Sequence, residues 1–254
     1  MKRLLCAVLA TAGVFAGAGP AAAAPSIGGQ PSSGASSVGA PSLGAQPSAT
    51  ASPAAGRLSI GLAIGLDGLK QALAERIDAR LTTLATLTTV ISSAQHLTAG
   101  HRATLSALVG TDQTRLTSLK AAVAGEQTIA ALRADATAMV DDYRVYALLV
   151  PKVRLTIAVD LAADAQQALH RVHDVLAGRA GTARYVADLR DMQNQLDAAS
   201  VAGVADALLA TPAGADAKAI KSRVGSARSA VGTSRTALRK ALADAQAARQ
   251  LIRG

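Results

Sequence analysis

The residues with the clearest potential for chemistry are two histidines and one aspartate on a predicted helix, His170, His173 and Asp174. Residues three and four positions apart lie on one helix face, and imidazole with carboxylate is a donor set that suits zinc or copper. Two ligands at this spacing are nevertheless common by chance, and a metal site needs more. We therefore predict no metal site and interpret these residues as a polar helix face with a His170–Asp174 pair. His96 and His101, which flank the first predicted turn, are expected to be solvated loop residues.

The second candidates are Tyr143 and Tyr146, which are three residues apart, with Arg144 next to Tyr143. Side chains at this spacing can stack on one side of a helix against a sugar, whereas the alternative is a pair of core anchors with hydroxyls at the rim. The chain has no tryptophan, and no phenylalanine after Phe15. It therefore lacks an aromatic platform for polysaccharide or single-stranded nucleic acid, and we expect no specific binding of nucleic acid.

The motifs of enzyme active sites are absent from the sequence. It has no Gly-rich phosphate loop, no Gly-x-Ser-x-Gly, no His-Glu-x-x-His and no pair of cysteines. Asp141 and Asp142 are adjacent carboxylates, but adjacent side chains on a helix diverge by about 100°, so they are not expected to share a face. We predict a non-enzymatic protein with no catalytic residue and no cofactor.

The positive charge of the chain is concentrated near its C-terminal end. Residues 57–210 carry fifteen basic and fifteen acidic side chains, whereas residues 211–254 carry nine basic and two acidic side chains, a net charge of +7. The last predicted helix combines an apolar seam with a row of cations beside it. The seam residues are Ile220, Val224, Val231, Leu238 and Ile252. The cations predicted to bind an anionic partner are Lys221, Arg228, Arg235, Arg239, Arg249 and Arg253.

Two interpretations of this cationic row remain open from the sequence. The row could be a solvated helix face that acidic neighbours in the bundle balance. It could instead dock electrostatically on an anionic envelope polymer or lipid surface. Because the seam consists mostly of alanine and valine, deep insertion into lipid is not favoured.

Leucine and isoleucine residues spaced by threes and fours from Leu58 onward predict amphipathic helices. Breaks near residues 97–100, 125, 151, 178 and 211–212 divide this region into six helices, the last from about residue 216 to 253. Thr98 is predicted to cap the second helix, and Pro151 fits the first turn of the fourth. We predict an all-α fold over residues 58–254, an elongated helical bundle or a stack of helical hairpins with coiled-coil-like packing. A β-hairpin over residues 143–161 is the alternative, because this segment is rich in β-forming residues and partly alternates.

Part of this helical region resembles a known group of proteins. The segments Asp142-Tyr143-Arg144-Val145-Tyr146 and Pro151-Lys152-Val153-Arg154-Leu155, followed by Asp160, resemble a YRVY-then-PK segment in exported, Ala-rich helical proteins of actinobacteria. Leu97-Thr98, Arg102 and Leu119-Lys120-Ala121 add to the resemblance. The resemblance covers roughly residues 65–254 and implies an exported, all-helical protein. It implies no activity and no site residues.

The N-terminal region predicts the compartment to which the protein is exported. Lys2 and Arg3 precede an apolar run, and Ala22-Ala23-Ala24 precede Pro25, which is typical of a signal peptide over residues 1–24. Residues 25–57 are built mainly from Pro, Ser, Gly and Ala and predict a disordered spacer, because they offer little apolar surface to offset the entropy of ordering. The sequence leaves open whether the signal is cleaved or kept as an anchor.

Together these features predict a secreted or extracytoplasmic protein associated with the cell envelope. We expect a structural or interaction module, and the alternative is an electrostatic binder of anionic envelope polymers or lipid through the C-terminal helix. The partners that fit are an anionic cell-wall polymer or an envelope protein. Peripheral membrane contact and self-association are further alternatives.

Overall fold

The computed structural model of the protein describes residues 65–142 and 144–253. Within these ranges the chain forms seven α-helices and one π-helical turn, and no strand is found among the described residues. The helices are α1 (Leu66–Ser93), α2 (Ala99–Gly125), α3 (Ile129–Asp141), α4 (Val150–Ala177), α5 (Ala183–Ala198), α6 (Val204–Leu209) and α7 (Ala217–Arg253), with the π-turn at Val145–Leu149 between α3 and α4. The all-α prediction is confirmed. The signal peptide and spacer predicted for residues 1–57 lie outside the described residues.

The hairpin alternative for residues 143–161 is wrong. Val145–Leu149 form the π-turn and Val150–Ala177 a single α-helix with Pro151 in its first turn, where its missing N–H costs no hydrogen bond. The buried residues Val153, Thr156, Val159 and Asp160 follow helical spacing. A helix wins here because it can bury side chains against two sets of neighbours, whereas an isolated two-stranded ribbon is only marginally stable.

Two predicted helices are each divided in the structure. The third, predicted from about residue 127 to 150, ends as an α-helix at Asp141, and Arg144 then adopts a left-handed conformation with φ of 39°. The fifth, predicted to continue to residue 211, ends at Ala198, and the short α6 begins after Gly203, whose φ is 69°. Only glycine adopts such a φ without steric cost.

Side-chain caps fix several helix starts. The hydroxyls of Thr98, Thr128 and Thr182 each accept a hydrogen bond from the backbone N–H three residues later, and the Asp216 carboxylate accepts from two N–H groups at the start of α7. These contacts satisfy donors that have no partner within the helix. The predicted cap at Thr98 is confirmed.

The helices pack as two bundles that share α4. The first bundle joins α1, α2 and α3 around a leucine-rich core, to which Val153 of α4 also belongs. The second joins α4, α5 and α7 around a core with many alanines, to which α4 contributes Val159, Ala162 and Leu169. A small third cluster links Leu148 of the π-turn to α6 and to the start of α7. Among the described helices, none is long and apolar enough to cross a membrane.

The first core gives a direct test of the fold. Leu84 of α1 is fully buried, whereas Val90 on the same helix is 37% exposed. We expect Leu84→Ala to lower the free energy of unfolding by about 2–5 kcal/mol, because the substitution leaves a cavity. Val90→Ala is the matched control and should change it by about 0.5 kcal/mol or less. Chemical denaturation followed by circular dichroism measures both, and equal effects would contradict the packing of α1.

Candidate functional site

The apolar seam of α7 is buried as predicted. Ile220, Val224 and Leu238 lie in the interior, and Val231 and Ile252 are partly buried against the second core. The seam is completed by buried alanines: Ala227, Ala237, Ala241, Ala245 and Ala248. Because this face packs against α4 and α5, the other faces of α7 are the ones that meet solvent.

The predicted cations of α7 differ in exposure. Lys221, Arg228 and Arg239 are exposed, whereas Arg235 and Arg249 are half-buried. The side chain of Arg253 lies outside the described residues. Three further exposed cations, which the sequence analysis did not select, are Lys218, Arg223 and Lys240. The cationic row is therefore interrupted by two half-buried arginines, and its accessible members lie toward the first two thirds of the helix.

Acidic side chains meet α7 around Asp244, near Lys240. Asp244 of α7 lies close to Asp188 and Asp191 of α5, and burial together with their negative charge raises the pKa of Asp244 while Lys240 partly opposes the increase. Within the described part of the chain, Lys221, Arg228 and Arg239 form no ion pair with a carboxylate. The bundle thus leaves these three charges to solvent or to a partner.

The weak metal candidates are not brought together as a site. The Nδ1 of His173 lies 3.4 Å from Oδ1 of the adjacent Asp174, so the expected His170–Asp174 pair is wrong and the carboxylate turns to the other histidine. Across residues 65–142 and 144–253, no group of three or more histidine, cysteine, aspartate or glutamate residues is arranged to hold a metal ion.

The two tyrosines that the sequence singled out cannot be compared directly, because Tyr143 lies outside the described residues. Tyr146 is 46% exposed, so its interpretation as a core anchor is wrong. The guanidinium carbon of Arg80 lies 5.3 Å from the centre of the Tyr146 ring, and the Tyr146 hydroxyl is 3.4 Å from Thr83 Oγ1. One side of the ring is therefore engaged by a cation. Among the described residues, Tyr185 is a buried aromatic anchor, and its hydroxyl donates to the Leu176 carbonyl.

A polar cluster lies where the α1–α2 turn meets α4 and α6. The carboxylate of Asp160 on α4 is buried; it accepts a hydrogen bond from the backbone N–H of Thr98 at 2.8 Å and lies 2.8 Å from Nδ1 of His101. The other ring nitrogen of His101, Nε2, lies 3.2 Å from Oδ1 of Asp206 on α6. Beside them, Nδ1 of His96 is 2.9 Å from Oδ2 of Asp164. We call His101, Asp160 and Asp206 the histidine cluster.

The histidine cluster overturns the expectation that His101 is a solvated loop residue. His101 stands in the first turn of α2, and only 19% of its side chain is exposed. Burial disfavours the charge on the imidazole, but hydrogen bonds and the charges of Asp160 and Asp206 outweigh burial and raise the pKa of His101. The ring is thus an imidazolium over a wider pH range than a free histidine.

Arg102, next to His101, holds the α1–α2 turn in place. Its guanidinium donates to the carbonyl of Ile91, to that of Ser92 at 3.1 Å and to that of Ala94 at 2.6 Å. These carbonyls belong to the C-terminal end of α1, where backbone acceptors have no partner within the helix. Arg102 therefore caps the C-terminal end of α1. It also fixes the turn that contains Thr98, whose N–H donates to Asp160.

A second buried polar contact holds the other end of α6. The ammonium of Lys152 on α4 donates to the carbonyl oxygens of Leu209 at 2.9 Å and Thr211 at 2.5 Å. Burial lowers the pKa of Lys152, and the nearby Asp112 partly offsets this. Burial likewise raises the pKa of Asp112, which the charges of Arg115 and Lys152 oppose. Lys152 contacts the end of the α6 segment directly, whereas Asp160, eight residues later on α4, is linked to Asp206 of α6 only through His101.

The segment of α4 that makes these polar contacts has a local signature in the sequence. Lys152, Thr156 and Asp160 recur every four residues in a segment that is apolar apart from the exposed Arg154, and all three are buried. Polar residues at that spacing in an apolar helix predict a buried polar contact. The partners on α2 and α6 are distant in the chain, so no local pattern identifies them.

Comparisons with protein-family models, with curated proteins and with solved structures each found no match to this chain. The interpretation of its sites therefore rests on its own residues.

The contacts of Asp160 give a second test. Asp160→Ala removes the acceptor of the Thr98 N–H and the partner of His101, and we expect it to lower the free energy of unfolding by about 3 kcal/mol, the loss typical when one member of a buried pair is removed. Asp164→Ala is the control, because that carboxylate is 53% exposed, and an exposed pair contributes about 1 kcal/mol or less. Urea titrations of both variants at one pH compare them. If Asp160→Ala lowered the free energy of unfolding no more than Asp164→Ala, the role given to Asp160 would be contradicted.

Proposed function

We propose that the protein is an exported, non-enzymatic interaction module of the cell envelope that binds an anionic polymer through α7. The observation that carries this proposal is the state of Lys221, Arg228 and Arg239, which are exposed and form no ion pair within the described part of the chain. Like charges on one exposed helix repel one another, and an anionic partner relieves that repulsion.

A polymer fits this surface better than the interior of a membrane. An amphipathic helix that binds lipid needs bulky apolar side chains directed to the bilayer. In α7, Ile220, Val224 and Leu238 are buried in the protein, and among its described residues Leu251 is the one exposed large apolar side chain. A single exposed leucine offers little apolar area to a bilayer, so contact with an anionic lipid surface would be mainly electrostatic.

Three further points support an exported interaction module. Among the described residues, the buried Lys152 and Asp160 are engaged within the fold, since Lys152 donates to two backbone carbonyls and Asp160 accepts from Thr98 and contacts His101. The predicted signal peptide at residues 1–24 supports export. The resemblance to exported helical proteins points the same way.

The test compares two triple variants of the full chain with equal loss of charge. The first variant replaces Lys221, Arg228 and Arg239 with glutamine. The control replaces three exposed arginines of other helices with glutamine: Arg76, Arg133 and Arg184. We expect about tenfold weaker binding of the first variant to a purified anionic wall polymer, because three exposed contacts contribute about 0.5 kcal/mol each. Binding of the native protein should fall as salt is raised toward 1 M, where the Debye length is only about 3 Å.

The outcomes separate the alternatives. An equal loss in both triple variants would show a response to net charge and reject a site on α7. Binding that salt leaves unchanged would reject electrostatic docking. Retention on vesicles of anionic lipid, with none on the polymer, would identify the lipid surface as the partner in place of the polymer.

A further inference from the structure

The imidazole of His101 faces a carboxylate oxygen at each of its two nitrogens. Nδ1 lies 2.8 Å from Asp160 Oδ1, and Nε2 lies 3.2 Å from Asp206 Oδ1. A neutral imidazole has one N–H and one lone pair, whereas the imidazolium has two N–H donors. A neutral ring would donate to one carboxylate and direct its lone pair at the other. Only the protonated ring satisfies both contacts.

These two contacts differ in strength because their surroundings differ. The side chain of Asp160 is 5% exposed and also accepts the Thr98 N–H, whereas the side chain of Asp206 is 79% exposed and projects from the short α6. A neutral His101 therefore keeps its single N–H on Asp160, because the loss of a donor costs a buried carboxylate more than an exposed one, which water can solvate. The contact with Asp206 is the one that fails.

The other charged groups around the histidine cluster are engaged elsewhere. On the α1–α2 turn, His96 pairs with Asp164 of α4. On α2, the guanidinium of Arg102 is directed to the carbonyls at the end of α1. On α4, Lys152 donates to the carbonyls of Leu209 and Thr211. On α6, the charged side chain is Asp206 itself.

We propose that His101 is a proton-dependent tie between α2 and α6, closed when both ring nitrogens carry a proton and open at Asp206 when Nε2 loses its proton. The tie rests on the geometry of the histidine cluster and is independent of the function proposed for α7. Its opening removes the ion pair between α6 and α2, while Leu208 stays buried and Lys152 continues to hold the residues that follow α6. The expected change is local opening of residues 204–209, with the two bundles intact.

The direction of the pH effect follows from the increase in the pKa of His101 in the folded protein. Because the pKa of His101 is raised in the folded protein, the tie contributes its full stabilisation below the unfolded pKa of about 6.5. That stabilisation is lost as the pH rises through the higher pKa of the folded state. The protein should therefore protect α6 in mild acid and expose it in mild alkali.

A titration of the histidine ring signals by NMR, made on the full chain, tests the tie directly. We expect His101 to titrate above 6.5 in the native protein and about half a pH unit lower in Asp206→Asn, a shift typical for loss of one exposed ionic partner. Asp197→Asn is the control, because Asp197 is an exposed carboxylate of α5 whose contact is Gln193. It should leave the titration of His101 unchanged. A native His101 that titrates at or below 6.5, or that responds equally to both variants, would overturn the proposal.

Amide hydrogen exchange gives the structural readout. The N–H groups of Ala207 and Ala210, which donate to the carbonyls of Gly203 and Asp206, report on α6. After correction for intrinsic exchange, their protection should fall severalfold between pH 5.5 and pH 8 in the native protein, and amides of α7 should not change. In Asp206→Asn the protection should be low at both pH values. Protection of α6 that depends on pH equally in the native protein and in Asp206→Asn would also overturn the proposal.

Discussion

The buried carboxylate of Asp160 is the contact that sets the position of the first bundle relative to α4. A charge in the protein interior is tolerated only when donors replace its water, and Asp160 finds them in the Thr98 N–H and the His101 ring. Both donors come from the α1–α2 turn, which Arg102 holds against the end of α1. The hairpin of α1 and α2 therefore cannot slide along α4 without leaving a charge unpaired.

The second core differs from the first because much of it is made of small residues. The face of α7 that packs on α4 and α5 includes Ala241, Ala245 and Ala248. Each buried alanine removes little apolar area from water, so neighbouring registers of such helices differ little in hydrophobic free energy. Burial therefore fixes the register of α7 on α4 and α5 less strongly than it fixes that of α1 and α2, whose core is rich in leucine. Lys152 and Asp160 act elsewhere on α4, toward the residues after α6 and toward the α1–α2 turn.

The helices were predictable because their leucine and isoleucine residues repeat with the helical period, and caps such as Thr98 and Asp216 have a local signature. The division between α5 and α6 depends on the left-handed conformation of Gly203. It was not predicted, because a single glycine within a helical pattern does not by itself indicate a break. The π-turn has no signature of its own in the sequence. The role of His101 was missed for a different reason, since its partners Asp160 and Asp206 are 59 and 105 residues away. The cationic helix was identified from charge alone, but the half-buried state of Arg235 and Arg249 depends on how α7 packs.

The π-turn at Val145–Leu149 has a geometric consequence for everything that follows it. A π-turn accommodates one residue more than an α-helical turn, and one residue corresponds to about 100° of rotation around a helix axis. The π-turn runs directly into α4, so it rotates α4 by about that angle relative to the turn. With a regular α-helical turn in its place, the side of α4 that carries Lys152 and Asp160 would point about a quarter-turn away from the groups it now meets, if Leu148 and Leu149 kept their packing. One extra residue in the turn thus lets Leu148, Leu149 and the polar side of α4 each face the neighbours that they contact.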